Sequence, residues 1–151
     1  MSDNTNGLLI KIKGIREVAS KSEINENIVS NYNEDNVQFK IAFSINGNPD
    51  ENTAEILLFL KFSLKIEKKF IEFFSFNTST EFVFKDLDEK LIKIEDDEIF
   101  IEDELAEHLM NIAVGSTRGM MIYKTSNFPF KLLLPLFDTS ELVRKVNDKT
   151  K

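Results

Sequence analysis

The chain has no cysteine, no tryptophan and a single histidine, with three prolines and five glycines in 151 residues. Without cysteine there is no disulfide, no thiolate metal site and no thiol nucleophile, a composition that suits a reducing cytosol. Around His108 alone no Ser–His–acid arrangement can be assembled. Glu104 and His108 stand four apart, a spacing that can share a metal on one helix face, but no second histidine or cysteine completes a site, so His108 reads as a solvent-exposed side chain. The acidic runs Asp96-Asp97-Glu98 and Glu102-Asp103-Glu104 lack the glycine and the alternation of a calcium loop. The glycines are scattered singly, so no phosphate cradle appears. The longest apolar run, Ile56–Leu60, is far short of the roughly 20 residues of a membrane span, and the polar start MSDNTNG is unlike a signal peptide. These absences predict a soluble cytoplasmic protein that is not an enzyme, needs no cofactor or metal and does not insert into membranes.

Phenylalanine and acid are what the chain has in excess. It holds 14 phenylalanines, ten of them between Phe39 and Phe84. The net charge is −7, and residues 85–107 alone carry eleven acids against three lysines. Such a block repels phosphate backbones, and no basic stripe with interleaved aromatics offsets it, so nucleic-acid binding is excluded from the expectations. A hydrophobic fraction of 42% and a charged fraction of 30% fit a folded domain. One domain over residues 8–145 is expected, with a disordered lead over 1–7 and a tail over 146–151.

Period-2 patterning predicts four antiparallel strands in hairpin order. In 8–18, Leu8, Ile10 and Ile12 share a face opposite Lys11 and Lys13. Residues 20–35 read as a loop. In 37–45, Val37, Phe39, Ile41, Phe43 and Ile45 oppose Gln38, Lys40 and Ser44, and 47–50 form a turn. The third strand puts Ile56, Leu58, Leu60, Phe62, Leu64 and Ile66 on one face, with Leu57 and Phe59 on the other. After a turn at Glu67-Lys68, the fourth places Phe70, Phe74 and Phe76 opposite Ile71 and Phe73. After a polar break, Phe82, Val83 and Phe84 continue it.

From Glu102 the period changes to that of a helix. One stripe runs Leu105, Leu109, Ile112, Ser116, Met120, Tyr123, and a second runs Ala106, Met110, Ala113, Thr117, Met121. Acids at 102–104 and Lys124 at the other end match the helix dipole, and Ser126, Asn127 and Pro129 stop it. An apolar segment, 128–137, leads to a short helix from about Thr139, capped by Asp138 or Thr139. The fold class is α+β: a four-stranded antiparallel sheet packed by one long helix, an extended crossover and a short C-terminal helix.

The excess of apolar residues leaves a second face without cover. Leu57, Phe59, Ile71 and Phe73 are expected to cluster on the side of the sheet away from the core, a patch at or above the few hundred Å² that a monomer exposes. Either the 128–137 segment or a second subunit covers it, or it receives apolar segments of other proteins. The helix stripe Ala106, Met110, Ala113, Thr117, beside Gly115, is expected to be a homodimer seam. Arg118, the one charge in that apolar stretch, is expected to hold the helix to the crossover through backbone carbonyls.

The last third, IEDELAEHLMNIAVGSTRGMMIYKTSNFPFKLLLPLFDTSEL (101–142), resembles the SecB and SecB-like chaperone family. An acidic start, a helix ending near Gly115-Ser116-Thr117-Arg118-Gly119 and a tail with Leu134, Pro135 and Leu142 carry the likeness. The resemblance implies an ATP-independent holdase, a dimer of dimers, that keeps unfolded preproteins fit for export and hands them to the SecA motor. It implies client grooves between sheet and crossover, lined here by Leu57, Phe59, Ile71, Phe73, Phe128, Phe130, Leu132 and Leu134, with Arg118 and Pro135 structural. SecA docks acids on the family's outer sheet face, where this chain carries Lys40, Lys61 and Lys65; it also lacks the proline-aromatic helix start. It is closer to the divergent branch, some of whose members serve toxin–antitoxin systems as dedicated chaperones. Two alternatives stand beside the holdase: a carrier of a small lipophilic ligand, and a structural oligomer without client binding.

Overall fold

In the computed structural model, which describes residues 9–85, 92–95 and 98–143, the apolar–polar alternation closes into a four-stranded antiparallel sheet. The lead expected over 1–7 and the tail over 146–151 lie outside the described residues. The chain runs β1 (Leu9–Ser22), α1 (Glu26–Asn31), β2 (Val37–Asn48), β3 (Thr53–Ile66), β4 (Lys69–Lys85), a separate hairpin of β5 (Ile92–Glu95) and β6 (Glu98–Ile101), and α2 (Asp103–Lys124). An extended crossover follows, and residues 139–143 are again helical.

β2, β3 and β4 succeed one another as hairpins, but β1 pairs with β4, so the order is β1-β4-β3-β2 rather than a simple meander. The turn at Glu67-Lys68 is where the sequence puts it: Ile66 pairs with Lys69, and Glu67 takes φ 58°, the left-handed conformation that two-residue hairpins require. β4 is one uninterrupted strand across the expected polar break, because Thr78 and Thr80 are buried members of the sheet.

Cross-strand register sorts the side chains. Phe39 pairs with Phe62 and Phe62 with Phe74; Leu60 pairs with Phe76, and Ala54 with Phe82. All of these lie on one face, and those of β3 and β4 are at most 1% exposed. Each large side chain so buried contributes about 1.5–3 kcal/mol relative to exposure in water. The covering layer is α2, resting on β3 and β4, with the crossover and α1 beside it.

α2 begins where Glu102 accepts the Leu105 N–H at 3.2 Å, and Asp103, Glu104 and Lys124 complement its dipole. It meets the sheet through small residues on both partners. The hydroxyls of Thr78 and Thr117 are 2.7 Å apart, and Thr117 also donates to the Ala113 carbonyl. Ala106, Met110, Ala113 and Thr117 are 4%, 0%, 0% and 0% exposed against their own sheet. The expected homodimer seam is therefore corrected: this stripe is internal packing. Gly115 lies on the open side of the helix, where an added Cβ would meet nothing within 4 Å, so it serves no close approach.

The far end of α2 is tied to the sheet edge by Lys124, 3.1 Å from Glu17 of β1. Hydrogen bonds from Ser20 and then from Lys124 hold the Glu17 carboxyl below its ordinary value of 4.5. A carboxylate depressed in the folded state stabilises above its unfolded pKa, and that contribution is lost as pH falls through the lower folded value. The pair is largely exposed, so its worth is at most about 1 kcal/mol. Thermal melts across the acid range should show a slightly smaller loss of stability for Glu17→Gln than for the parent; identical acid profiles would remove this tie from the account.

Candidate functional site

The covered face ends in an aromatic cluster that the register alone would not produce. Between Phe62 and Ser63 the β3–β4 ladder shifts by one residue: Phe62 pairs with Phe74, Ser63 with Glu72. Phe73 is the extra residue of this bulge, which turns two consecutive phenylalanines to the same side. Both are 1% exposed. The crossover lays its own rings on them. Phe128 stands edge-on to Phe74 at 5.4 Å and Phe130 edge-on to Phe73 at 5.8 Å. Tyr32, just past α1, stacks on Phe130 at 3.8 Å and donates its hydroxyl to the Lys131 carbonyl at 3.2 Å. Burial, and then Glu34, raise the Tyr32 pKa, so the phenol stays a donor well into the alkaline range. Further along, Phe137 lies against Phe39 at 6.0 Å.

The client-binding residues expected on one face are thereby divided. Phe73 is core, not outer face. Leu57 and Phe59 do lie on the outer face, half-buried, opposite Ser44 and Ala42 of β2. Ile71 pairs with Leu64 below the bulge and is 38% exposed near the hairpin end, while Phe70, expected in the core, is 53% exposed. From the crossover, Phe128 and Phe130 are half-buried, and Leu132 and Leu134 are each 4% exposed, directed inward. The apolar groove implied between sheet and crossover is thus filled by the chain's own side chains.

What stays open is the other side of the crossover. Leu133 is 49% exposed, Leu136 89%, and Ile122 on the last turn of α2 52%. Between the end of α2 and the crossover lies a hollow of about 450 Å³, lined by Ile122, Thr125, Phe128, Phe130, Leu132 and Leu133 among others. Hydrogen bonds hold α2 and the crossover on either side of it. Thr125 bonds the Met121 carbonyl through both its N–H and its hydroxyl, Arg118 donates to the Pro135 carbonyl at 3.3 Å, and Thr139 donates to Asn111. Its chemistry is apolar adhesion. Among the described residues no group of three His, Asp or Glu side chains is placed to hold a metal, and His108 is exposed.

Residues 20–35 are not the loop their Asn, Ser and Glu content predicts: they hold the end of β1, α1 and Tyr32. The signal was present: Ile24, Ile28 and Tyr32 recur every four residues behind Asn25, whose side chain accepts the Ile28 N–H at 3.0 Å as an N-cap. Ile28 is 1% exposed.

This architecture is that of the SecB-like fold. The chain is similar to the SecB-like chaperone Rv1957 of Mycobacterium tuberculosis, solved in complex with a ChAD peptide from the antitoxin HigA1, with a TM-score of 0.55 at 10% identity over 85% of this chain and 90% of that one. A protein of unknown function from Streptococcus agalactiae aligns at a TM-score of 0.43 and 16% identity, over 87% of this chain and 98% of that one. No family model matches the sequence, and no curated protein does. No helix among the described residues is long and apolar enough to cross a membrane.

Proposed function

We propose that this protein is an ATP-independent chaperone of the holdase type, which binds exposed apolar segments of an unfolded or dedicated client protein by burial, without catalysis. The observation that carries the reading is the two-sided crossover. Its inward residues are used by the fold, while Leu133 and the neighbouring Ile122 remain partly in water at an apolar hollow, and Leu136 is exposed further along the crossover. Single exposed apolar side chains are ordinary, but two leucines and an isoleucine on adjoining segments each forgo part of the roughly 1.5–3 kcal/mol that full burial contributes, and an apolar client segment would recover some of it. The hollow is a partly open concavity and not an enclosed cavity, which suits an apolar segment laid into it better than an enclosed lipophilic ligand.

A dedicated client is favoured over SecA. The resemblance assigns SecA docking to acids on the outer sheet face, and Lys40, Lys61 and Lys65 do not supply them; the structural neighbour's peptide from an antitoxin supports a client protein of its own kind. Homo-oligomer formation, as a dimer or a dimer of dimers, would draw on the free edge of β1, where Ile12, Ile15 and Val18 are 49%, 40% and 44% exposed. The setting is the cytoplasm, as the cysteine-free composition suggests.

Light scattering by a reduced, unfolding model protein tests the reading. The parent should suppress its aggregation without nucleotide. Leu133→Ser combined with Ile122→Ser should weaken that protection about tenfold, the equivalent of about 1.4 kcal/mol, with the melting temperature nearly unchanged. Phe59→Ser, on the opposite face, should protect like the parent. Full protection by the double variant together with loss in Phe59→Ser would place clients on the wrong side of the sheet for this reading.

A further inference from the structure

The outer face of the sheet carries a charge arrangement that folding does not explain. Lys40 of β2 and Lys61 of β3 are direct cross-strand partners. Like charges so placed repel, and a sheet under selection for stability alone puts opposite charges there. Nothing nearby neutralises them well: Glu72 reaches Lys61 only at 3.9 Å, and Lys40 has no ion pair among the described residues. Lys65, two steps along the same face, also stands without one. The other end of that face is balanced: Lys13 is 2.9 Å from Glu81 and 3.7 Å from Glu51, and Arg16 is 3.5 Å from Glu55. The positive end is thus a local feature of a chain whose net charge is −7.

Beside the lysines two large apolar side chains stand on the outer face. Phe59 sits in the row next to the Lys40–Lys61 pair, flanked by Ala42 and Asn77, and Leu57 follows between Ser44 and Ser79. Both side chains are half-buried there. α2 and the crossover are committed to the opposite face, so they cannot cover them.

We propose that this outer face docks an extended acidic segment of a partner protein, its carboxylates on Lys40, Lys61 and Lys65 and an apolar side chain on Phe59. Charge complementarity chooses the occupant. An extended acidic segment with interleaved apolar side chains matches both parts of the face, carboxylates on the lysines and an apolar group on Phe59, whereas a nucleic acid brings a phosphate at every step and no aliphatic side chain for Phe59 and Leu57. The surface is separate from the hollow at the crossover, so a holdase built this way holds client and partner on opposite faces.

Fluorescence anisotropy with a labelled peptide alternating glutamate and leucine tests the proposal, with a lysine–leucine peptide and a single-stranded oligonucleotide as counterparts. The acidic peptide should bind, more weakly as salt rises, and the counterparts should not. Lys40→Glu with Lys61→Glu should reduce that binding about tenfold or more. Lys40→Glu alone exchanges a repulsive pair for an attractive one, so it should melt no lower than the parent while binding the peptide less well. The same variants should protect an unfolded neutral client as the parent does, which separates this surface from the client site. Equal peptide binding by parent and double variant, no binding by either, or preference for the oligonucleotide would each overturn the proposal.

Discussion

Phe74→Ala is expected to lower stability by about 3–5 kcal/mol, the range for emptying a buried phenylalanine site. Few single changes in the chain should cost more. Phe74 is 1% exposed and lies where three elements meet. Its ring is 6.0 Å from Phe62 of β3, 6.0 Å from Phe76 on its own strand and 5.4 Å from Phe128 of the crossover. Removing it leaves a cavity between sheet and crossover and withdraws the seat of Phe128, adding to the transfer loss the roughly 0.5–1.5 kcal/mol of an aromatic pair. Since a domain of this size has only about 5–15 kcal/mol in total, a large fraction of the stability rests on this ring. Urea titration checks the figure, and Phe59→Ala is the control: half-buried on the outer face, it should cost far less. Equal losses would mean that the two faces are not distinguished as described.

Met110→Ala is expected to cost about 2–5 kcal/mol, and to do so without altering the assembly state. Met110 is fully buried in the same stripe as Thr117, the stripe turned to the sheet. A subunit seam would respond in the opposite way, with a change in solution mass and little loss in the stability of the single fold. Measuring thermal stability and light-scattering mass on the same samples separates the two. A fall in mass at unchanged melting temperature would return this stripe to the subunit interface.

The two expectations show where sequence patterning was legible and where it was not. Strict alternation fixes faces as long as the ladder is regular, which is why the β3 row from Ile56 to Leu64 and the Glu67-Lys68 turn could be read directly. One inserted residue inverts that logic. Parity put Phe73 with Phe59 and Phe70 with Phe74, and the bulge after Phe62 exchanged Phe73 and Phe70 between core and surface. No local signal marks such a shift, because it is set by how the crossover rings pack. The helix posed a different ambiguity. Both stripes of α2 are apolar enough to be buried, and the stripe turned to the sheet is the one whose Thr117 meets Thr78 of β4, a matching of two distant segments that periodicity does not contain. The α+β, SecB-like architecture itself was legible from the succession of strands and helix and from the crossover motif. The location of the open apolar surface was not, since inward and outward leucines of 132–136 look alike in sequence.

Under the proposed function, clients are held on the outward side of the crossover. Hydrogen exchange of the protein with and without a saturating unfolded client measures this most directly. Client should slow exchange at the amides of 121–126 and 128–137, at the end of α2 and along the crossover, and leave the paired amides of β2 and β3 as they are. Client-dependent protection confined to β2 and β3, or none anywhere, would contradict the account.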